Sequence, residues 1–253
     1  FGGANTEQVN VHPYGKGKAI LLNVDIISYL QDRLNGKEGA VHQLIEQLLR
    51  ANDVHPEFSV EDGQGHSVVG IDVHVYANGG TRIIALQSNP QLRVNELGPA
   101  DFRSNERFTK PTTIHLHLPN AMYLYDTVAD KSLGAAKKDL TLTVGPYDPT
   151  ILVASDTPLP QMQVSVPEKV QRGTIANIAI HTSSSPADLS VFHVEVVDPK
   201  GNRQVFYSGN VLARNGSGVR AIPFAANDAP GRWTINVHDV MSGQSVQQTI
   251  ELQ

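Results

Sequence analysis

From His55 to the C terminus the apolar residues recur with a period of two, and this pattern constrains the fold more than any other feature of the chain. Successive side chains on a strand point to opposite faces, so a period of two sustained through most of 253 residues calls for sheets with one buried face. Ile71, Val73 and Val75 alternate with Asp72, His74 and Tyr76. Asn78-Gly79-Gly80 supplies the positive φ angles of a tight hairpin, and Arg82-Ile83-Ile84-Ala85-Leu86 returns. Residues 88–111, with Pro90, Pro99 and Pro111, read as a long irregular connection. Ile114, Leu116 and Leu118 then alternate with His115 and His117, Met122-Tyr123-Leu124-Tyr125 starts another strand, and Asp126 to Ala136 turns. Leu140 to Val144 and Ile151 to Ala154 bring the set to about seven short strands, which suits one antiparallel β-sandwich over residues 55–156.

Thr157-Pro158-Leu159-Pro160 is the clearest linker, since two prolines at alternate positions hold a short extended spacer. Beyond it, Val164 to Val166, Ala176 to Ile180, Val191 to Val197, Gln204 to Tyr207, Val219 to Phe224, Trp233 to His238 and Val246 to Leu252 are read as strands. Asp198-Pro199-Lys200-Gly201-Asn202, Asn215-Gly216-Ser217-Gly218, Asp228-Ala229-Pro230-Gly231 and Ser242-Gly243 separate them with turn chemistry. About seven strands at this spacing are the signal for an immunoglobulin-like (Ig-like) β-sandwich over residues 157–253. The cysteine pair of that fold is absent, so Trp233 is the expected large core filler.

The first 54 residues obey a different rule. Ala19 to Val24 is a short continuous apolar run of the kind that suits a strand buried on both faces. Ile26, Ile27, Leu30 and Leu34, and then Val41, Leu44, Ile45, Leu48 and Leu49, recur at helical spacing, with Gly36 and Asn52 as stops. One strand and two helices do not make a domain, so residues 1–54 are read as a short α/β segment whose other strands are supplied elsewhere. The chain opens on Phe1 with no charged stretch leading into an apolar one, which leads us to expect a mature product or a piece of something longer. The expected fold class is thus mainly β: two antiparallel β-sandwich domains, the second Ig-like, preceded by a short α/β segment.

Composition removes several classes of function. A net charge of −5 without a cluster of Lys or Arg gives no footprint for nucleic acid. No apolar run approaches the roughly 20 residues of a membrane helix, so no membrane insertion is expected. The absence of cysteine excludes disulfides, thiolate catalysis and Cys-type zinc sites.

Part of the chain resembles a known family. Tyr14-Gly15-Lys16-Gly17-Lys18-Ala19-Ile20-Leu21-Leu22-Asn23, followed by a helix ending near Leu49-Arg50-Ala51-Asn52-Asp53-Val54, looks like the end of the trimerisation domain of bacterial beta-galactosidases and related glycoside hydrolases, an amidotransferase-like α/β fold. Thr81 to Asn89, and Ile114 to Asp126 through Leu133-Gly134 and Leu142 to Pro146-Tyr147-Asp148-Pro149, resemble the C-terminal β domain that follows it. Pro230-Gly231-Arg232-Trp233-Thr234 and Asp239 to Gly243 resemble bacterial Ig-like domains of secreted multidomain proteins. The resemblance implies a secreted, periplasmic or cell-envelope bacterial protein whose catalytic barrel, with its two glutamates, lies upstream, so no catalytic residue carries over.

Three constellations are candidates for chemistry. His115-x-His117 on a strand sets two imidazoles about 7 Å apart on one face, and Asp72-x-His74 repeats the arrangement, so the two pairs would form a metal site if their strands were neighbours. The plainer reading makes both the polar half of an alternating strand, and no metal or other cofactor is expected. Asp126, Asp130, Asp139 and Asp148 could supply the paired carboxylates of glycoside hydrolysis, but turn aspartates more often cap backbone amides. Tyr76, Tyr123, Tyr125, Tyr147 and Tyr207 are candidate sugar-stacking rings, weakened by a count of one Trp, seven Tyr and seven Phe. Tyr123 and Tyr125 share a face that could equally pack an interface. Gly15-Lys16-Gly17-Lys18 lacks the spacing of a phosphate loop, Asn215-Gly216-Ser217 is a glycosylation triplet that a β-turn would also produce, and Ser183-Ser184-Ser185-Pro186 is loop chemistry.

The expected function is that of a non-catalytic accessory region of a secreted glycoside-hydrolase-like protein. It would position or space a catalytic domain of the same or a sister polypeptide and support homo-oligomerisation through the α/β segment. Two alternatives are a carbohydrate-binding module acting on polysaccharide and a stand-alone metal-dependent enzyme.

Overall fold

The computed structural model describes residues 9–24, 27–29, 32, 39–93, 105–183 and 185–253. They divide into two compact units, one of residues 1–56 with 91–105 and one of residues 57–90 with 106–253. The fold is mainly β.

In the first unit, β1 (Val9–Tyr14) and β2 (Gly17–Leu22) form an antiparallel hairpin closed at Gly15, whose φ is 58°. The run expected to be a strand buried on both faces is therefore an exposed hairpin arm whose one strand partner, among the described residues, is β1. The strand before it, Val9–Tyr14, alternates only over Val9-Asn10-Val11-His12 before Pro13, too short a stretch to mark a strand in the sequence. Helix α1 (Gly39–Arg50) carries the second helical pattern. It ends where Asp53 takes φ 57°, with Asn52 Nδ2 donating to Leu48 O at 2.7 Å. The first helical pattern falls largely outside the described residues, with Ile26, Leu30 and Leu34 all beyond them.

The second unit holds two curled sheets. The first contains β3 (Ser59–Glu61), β4 (Ile71–Asn78), β5 (Thr81–Ser88), β6 (Thr112–Asp126), β7 (Lys131–Ser132), β8 (Lys137–Val144) and β9 (Thr150–Ser155). Its order is β3-β6-β9-β5-β4, with β7 and β8 also on β6. The segments expected as two strands, from Ile114 and from Met122, are one 15-residue strand. Its pairing with β8 shifts between His117 and Met122, so Pro119 sits at the irregularity where a missing N–H breaks no ladder. The first half of β6 pairs with β3 and β8, the second with β9 and β7, and this exchange of partners curls the sheet around Ile84, Leu86, Ile114, Leu116, Leu124 and Leu152.

The other sheet has the order β10-β12-β15-β14-β13-β16-β17-β11, built from β10 (Met162–Ser165), β11 (Lys169–Val170), β12 (Ile175–Thr182), β13 (Leu189–Val197), β14 (Gly209–Arg214), β15 (Ser217–Pro223), β16 (Gly231–Asp239) and β17 (Ser245–Leu252). Every pairing is antiparallel except β11 with β17. Trp233 is fully buried in its core, edge-on to Phe224 at 5.0 Å between ring centroids. Its Nε1 donates to Ala229 O at 2.9 Å.

The reading of Gln204 to Tyr207 as a strand fails. Tyr207 and Ser208 turn back to donate to Gln204 O, Phe206 is 94% exposed, and the strand in this region is β14. The turn is what lets the Tyr207 ring reach Phe224, 5.4 Å away. β14 was hidden because its inward residues, Val211 and Ala213, are separated by an exposed Leu212, which masks the alternation.

Candidate functional site

β6 brings His115 and His117 to one face, as the alternation requires, while Ile114, Leu116 and Leu118 enter the core. The neighbouring strands decide what the imidazoles meet. β8 sets Asp139 opposite His117 and Thr141 opposite His115, and β3 sets Ser59 and Glu61 opposite the same two positions. His117 is consequently held on both sides, with Nδ1 2.6 Å from Asp139 Oδ1 and Nε2 3.3 Å from Glu61 Oε2. The Asp139 hydrogen bond, aided by Glu61, raises the His117 pKa above its ordinary value against an opposing effect of burial. His115 Nδ1 lies 3.0 Å from Thr141 Oγ1.

Asp72 and His74 do not join this cluster. They lie on β4, at the far margin of the sheet from β3, where Asp72 Oδ1 accepts from Asn89 Nδ2 at 3.2 Å. Among the described residues no three His, Asp or Glu side chains converge as a metal would require. His117 already spends both nitrogens on carboxylates, so its cluster is a cross-strand clamp over β3, β6 and β8.

The four aspartates have separate uses. Asp126 Oδ1 accepts the Val128 and Ala129 N–H groups at 3.1 and 2.9 Å. Asp130, at φ 51°, reaches His238 Nε2 at 3.1 Å, and Asp139 holds His117. Asp148 lines a shallow recess of about 300 Å³ together with Asp126, Gly145 and Thr150. Asp198 likewise accepts N–H groups from Lys200 and Asn202 at 2.9 and 2.8 Å, and the backbone donor at Asn202 chiefly lowers its pKa.

The tyrosines also diverge. Tyr76 and Tyr147 are exposed, whereas Tyr125 is buried with Val153, Leu159, Ala187 and Met241, and Tyr123 packs beside them. Tyr125 Oη accepts from Leu159 N–H at 2.8 Å. Thr157 to Pro160 is thus no free spacer, since Leu159 is inserted between the two curled sheets. Tyr207 Oη donates to Asp228 Oδ2 at 2.6 Å, and burial together with this bond pushes the phenol pKa up.

The same contact holds residues that sequence reasoning did not single out. Asn78 binds both backbone groups of Leu189, and Gly80 N–H donates to Pro186 O at 2.6 Å. A Cβ at Gly79 would lie 2.7 Å from Pro186 O, and one at Gly243 would run into the Asp130 backbone. In sequence, Asn78-Gly79-Gly80 carries only the signal of a turn; its second use as a docking tip leaves no trace in a local pattern.

No family model and no curated protein matches this chain. In the first unit a groove of about 640 Å³ runs between β2 and α1, lined by Ile20, Leu22, Ile45, Leu48 and Val54 with Lys18. No helix among the described residues is long and apolar enough to cross a membrane.

Proposed function

We propose that this chain is a non-catalytic accessory region of a secreted glycoside-hydrolase-like protein, which positions or spaces a catalytic domain. The observation that carries this reading is the closure between the two curled sheets of the second unit. Leu159 is inserted beside Tyr125, the Asn78 side chain grips the Leu189 backbone, and Gly79, Gly80 and Gly243 fit backbone to backbone. A tether would leave such positions solvated, whereas a strut needs them closed so that displacement at one end reaches the other. The aspartates and histidines singled out for chemistry mostly serve turns, ladders and this closure, which favours a mechanical role over acid–base work.

In this reading the eight-stranded sheet is an Ig-like sandwich and the seven-stranded one a second sandwich. The β11–β17 parallel pair, which lets one end of the sheet fold onto its other half, supports the former. The apolar β2–α1 groove supports assembly through the α/β segment, where a hairpin alone is short of strand partners. The test is to assay the isolated chain on chromogenic glycosides and by affinity electrophoresis against plant and microbial polysaccharides. Neither turnover nor retardation is expected. Hydrolysis overturns the accessory reading, and retardation by a polysaccharide replaces it with a carbohydrate-binding module.

A further inference from the structure

The margin of the seven-stranded sheet at β4 is built unlike the other margins of the two large sheets. β3, β10 and β11 run for 3, 4 and 2 residues, and β8 carries Lys137, Lys138 and Asp139. Shortness and charge are the usual guards against edge-to-edge pairing. β4 has 8 residues in unbroken register with β5, no Pro, Lys or bulge, and its stretch from His74 to Ala77 is exposed.

The ladder shows which peptide groups this edge presents. Asn89 N–H donates to Gly70 O at 2.9 Å, so Gly70 and the even-numbered residues of β4 exchange hydrogen bonds with β5. Ile71, Val73, Val75 and Ala77 therefore turn their N–H and C=O groups outward, and among the described residues none of the four has a partner there.

We infer that β4 is a homodimer edge, paired antiparallel with β4 of a second copy about a two-fold axis at His74. The edge is self-complementary. In that register Ile71 faces Ala77 and Val73 faces Val75 of the other copy, so every outward peptide group is satisfied, and a slip by two residues strands the ends. Val75 and Ala77 of the second copy then cover Ile71 and Val73, which are only partly buried against the core. On the outer face Asp72 meets Tyr76, which keeps the one charge of the strand away from its own copy.

Sedimentation of the full chain over micromolar concentrations tests this. The expected species has twice the 27.4 kDa mass of the chain. Val75→Pro removes an N–H that β5 does not use, and Val75→Lys adds a guard charge; each is expected to weaken association at least about tenfold while circular dichroism stays unchanged. The cysteine-free background permits a register test. His74→Cys, self-paired at a non-hydrogen-bonded site with Cα atoms about 4.5 Å apart, should oxidise to a linked dimer, and Tyr76→Cys should not. A chain that stays monomeric throughout overturns the inference, as does a dimer indifferent to both Val75 variants or one cross-linked by Tyr76→Cys alone. Binding of a foreign extended peptide by a monomeric chain counts among the overturning results.

Discussion

Asn78, at the end of β4, grips both backbone groups of Leu189, the first residue of β13: its Nδ2 donates to Leu189 O at 2.7 Å and its Oδ1 accepts from Leu189 N–H at 2.9 Å. One side chain thereby performs the pairing that a strand neighbour would, across 111 residues of sequence. Because Leu189 is partly exposed, water can replace these bonds when they are lost. Asn78→Ala should cost about 1–2 kcal/mol. Asn78→Asp, which keeps the acceptor and turns a carboxylate toward a carbonyl, should cost at least as much. Thermal unfolding of the two variants checks both values.

Gly79 is constrained twice, by φ 58° and by Pro186 O at 2.7 Å from the position of a Cβ. Gly134 has φ 90° but open space around it, so it isolates the first constraint. Gly134→Ala should cost about 1–2 kcal/mol from backbone strain alone. Gly79→Ala should cost about 1–3 kcal/mol more, because backbone atoms on both sides must separate. Equal losses in chemical denaturation would mean that the approach of Gly79 to Pro186 contributes nothing.

What could be read from the sequence was whatever depends on neighbours in the chain. The Ile71–Leu86 hairpin, the alternation that turns His115 and His117 together, and Trp233 as core filler all follow from periods and turn residues. What could not be read depends on partners far along the chain. Nothing near His117 announces Glu61 and Asp139, since cross-strand register is set by the exchange of partners along β6. The Pro158–Pro160 segment has linker composition, yet Leu159 is buried because Tyr125 offers both an apolar ring and an acceptor. Gln204 to Tyr207 looked like a strand because Val205 and Phe206 are apolar, and both are exposed in a turn.

Tyr207 joins the Phe224 and Trp233 rings to a polar corner, where its Oη accepts from Ala225 N–H at 3.2 Å and donates to Asp228. Tyr207→Phe keeps the ring and deletes the hydroxyl, so it should cost about 1–2 kcal/mol and leave the core intact. Burial raises the phenol pKa above its ordinary 10.0, so the stabilisation linked to it is full below pH 10 and disappears as pH rises through the folded value. The difference in unfolding free energy between the wild type and Tyr207→Phe should therefore narrow in strong alkali. A constant difference would mean that the hydroxyl is solvated.

His117 should titrate above its ordinary 6.5, because Asp139 on β8 and Glu61 on β3 both favour the imidazolium. Asp139 is the larger cause, so Asp139→Asn should lower the His117 midpoint, followed by imidazole NMR, by more than Glu61→Gln does. A pKa raised on folding means that the folded state holds the proton more tightly. The stabilising contribution is accordingly complete below the unfolded value near 6.5 and is lost as pH climbs through the raised folded value. β3 has only three residues on the ladder, so its amides depend most on the clamp. Hydrogen exchange at Ser59 and Glu61, whose peptide groups face β6 while those of Val60 face Val68, should accelerate, after correction for the intrinsic pH dependence, as His117 loses its proton, and in Asp139→Asn that acceleration should begin at lower pH. Exchange at β3 that ignores the charge of His117 would show that the backbone ladder alone holds the strand.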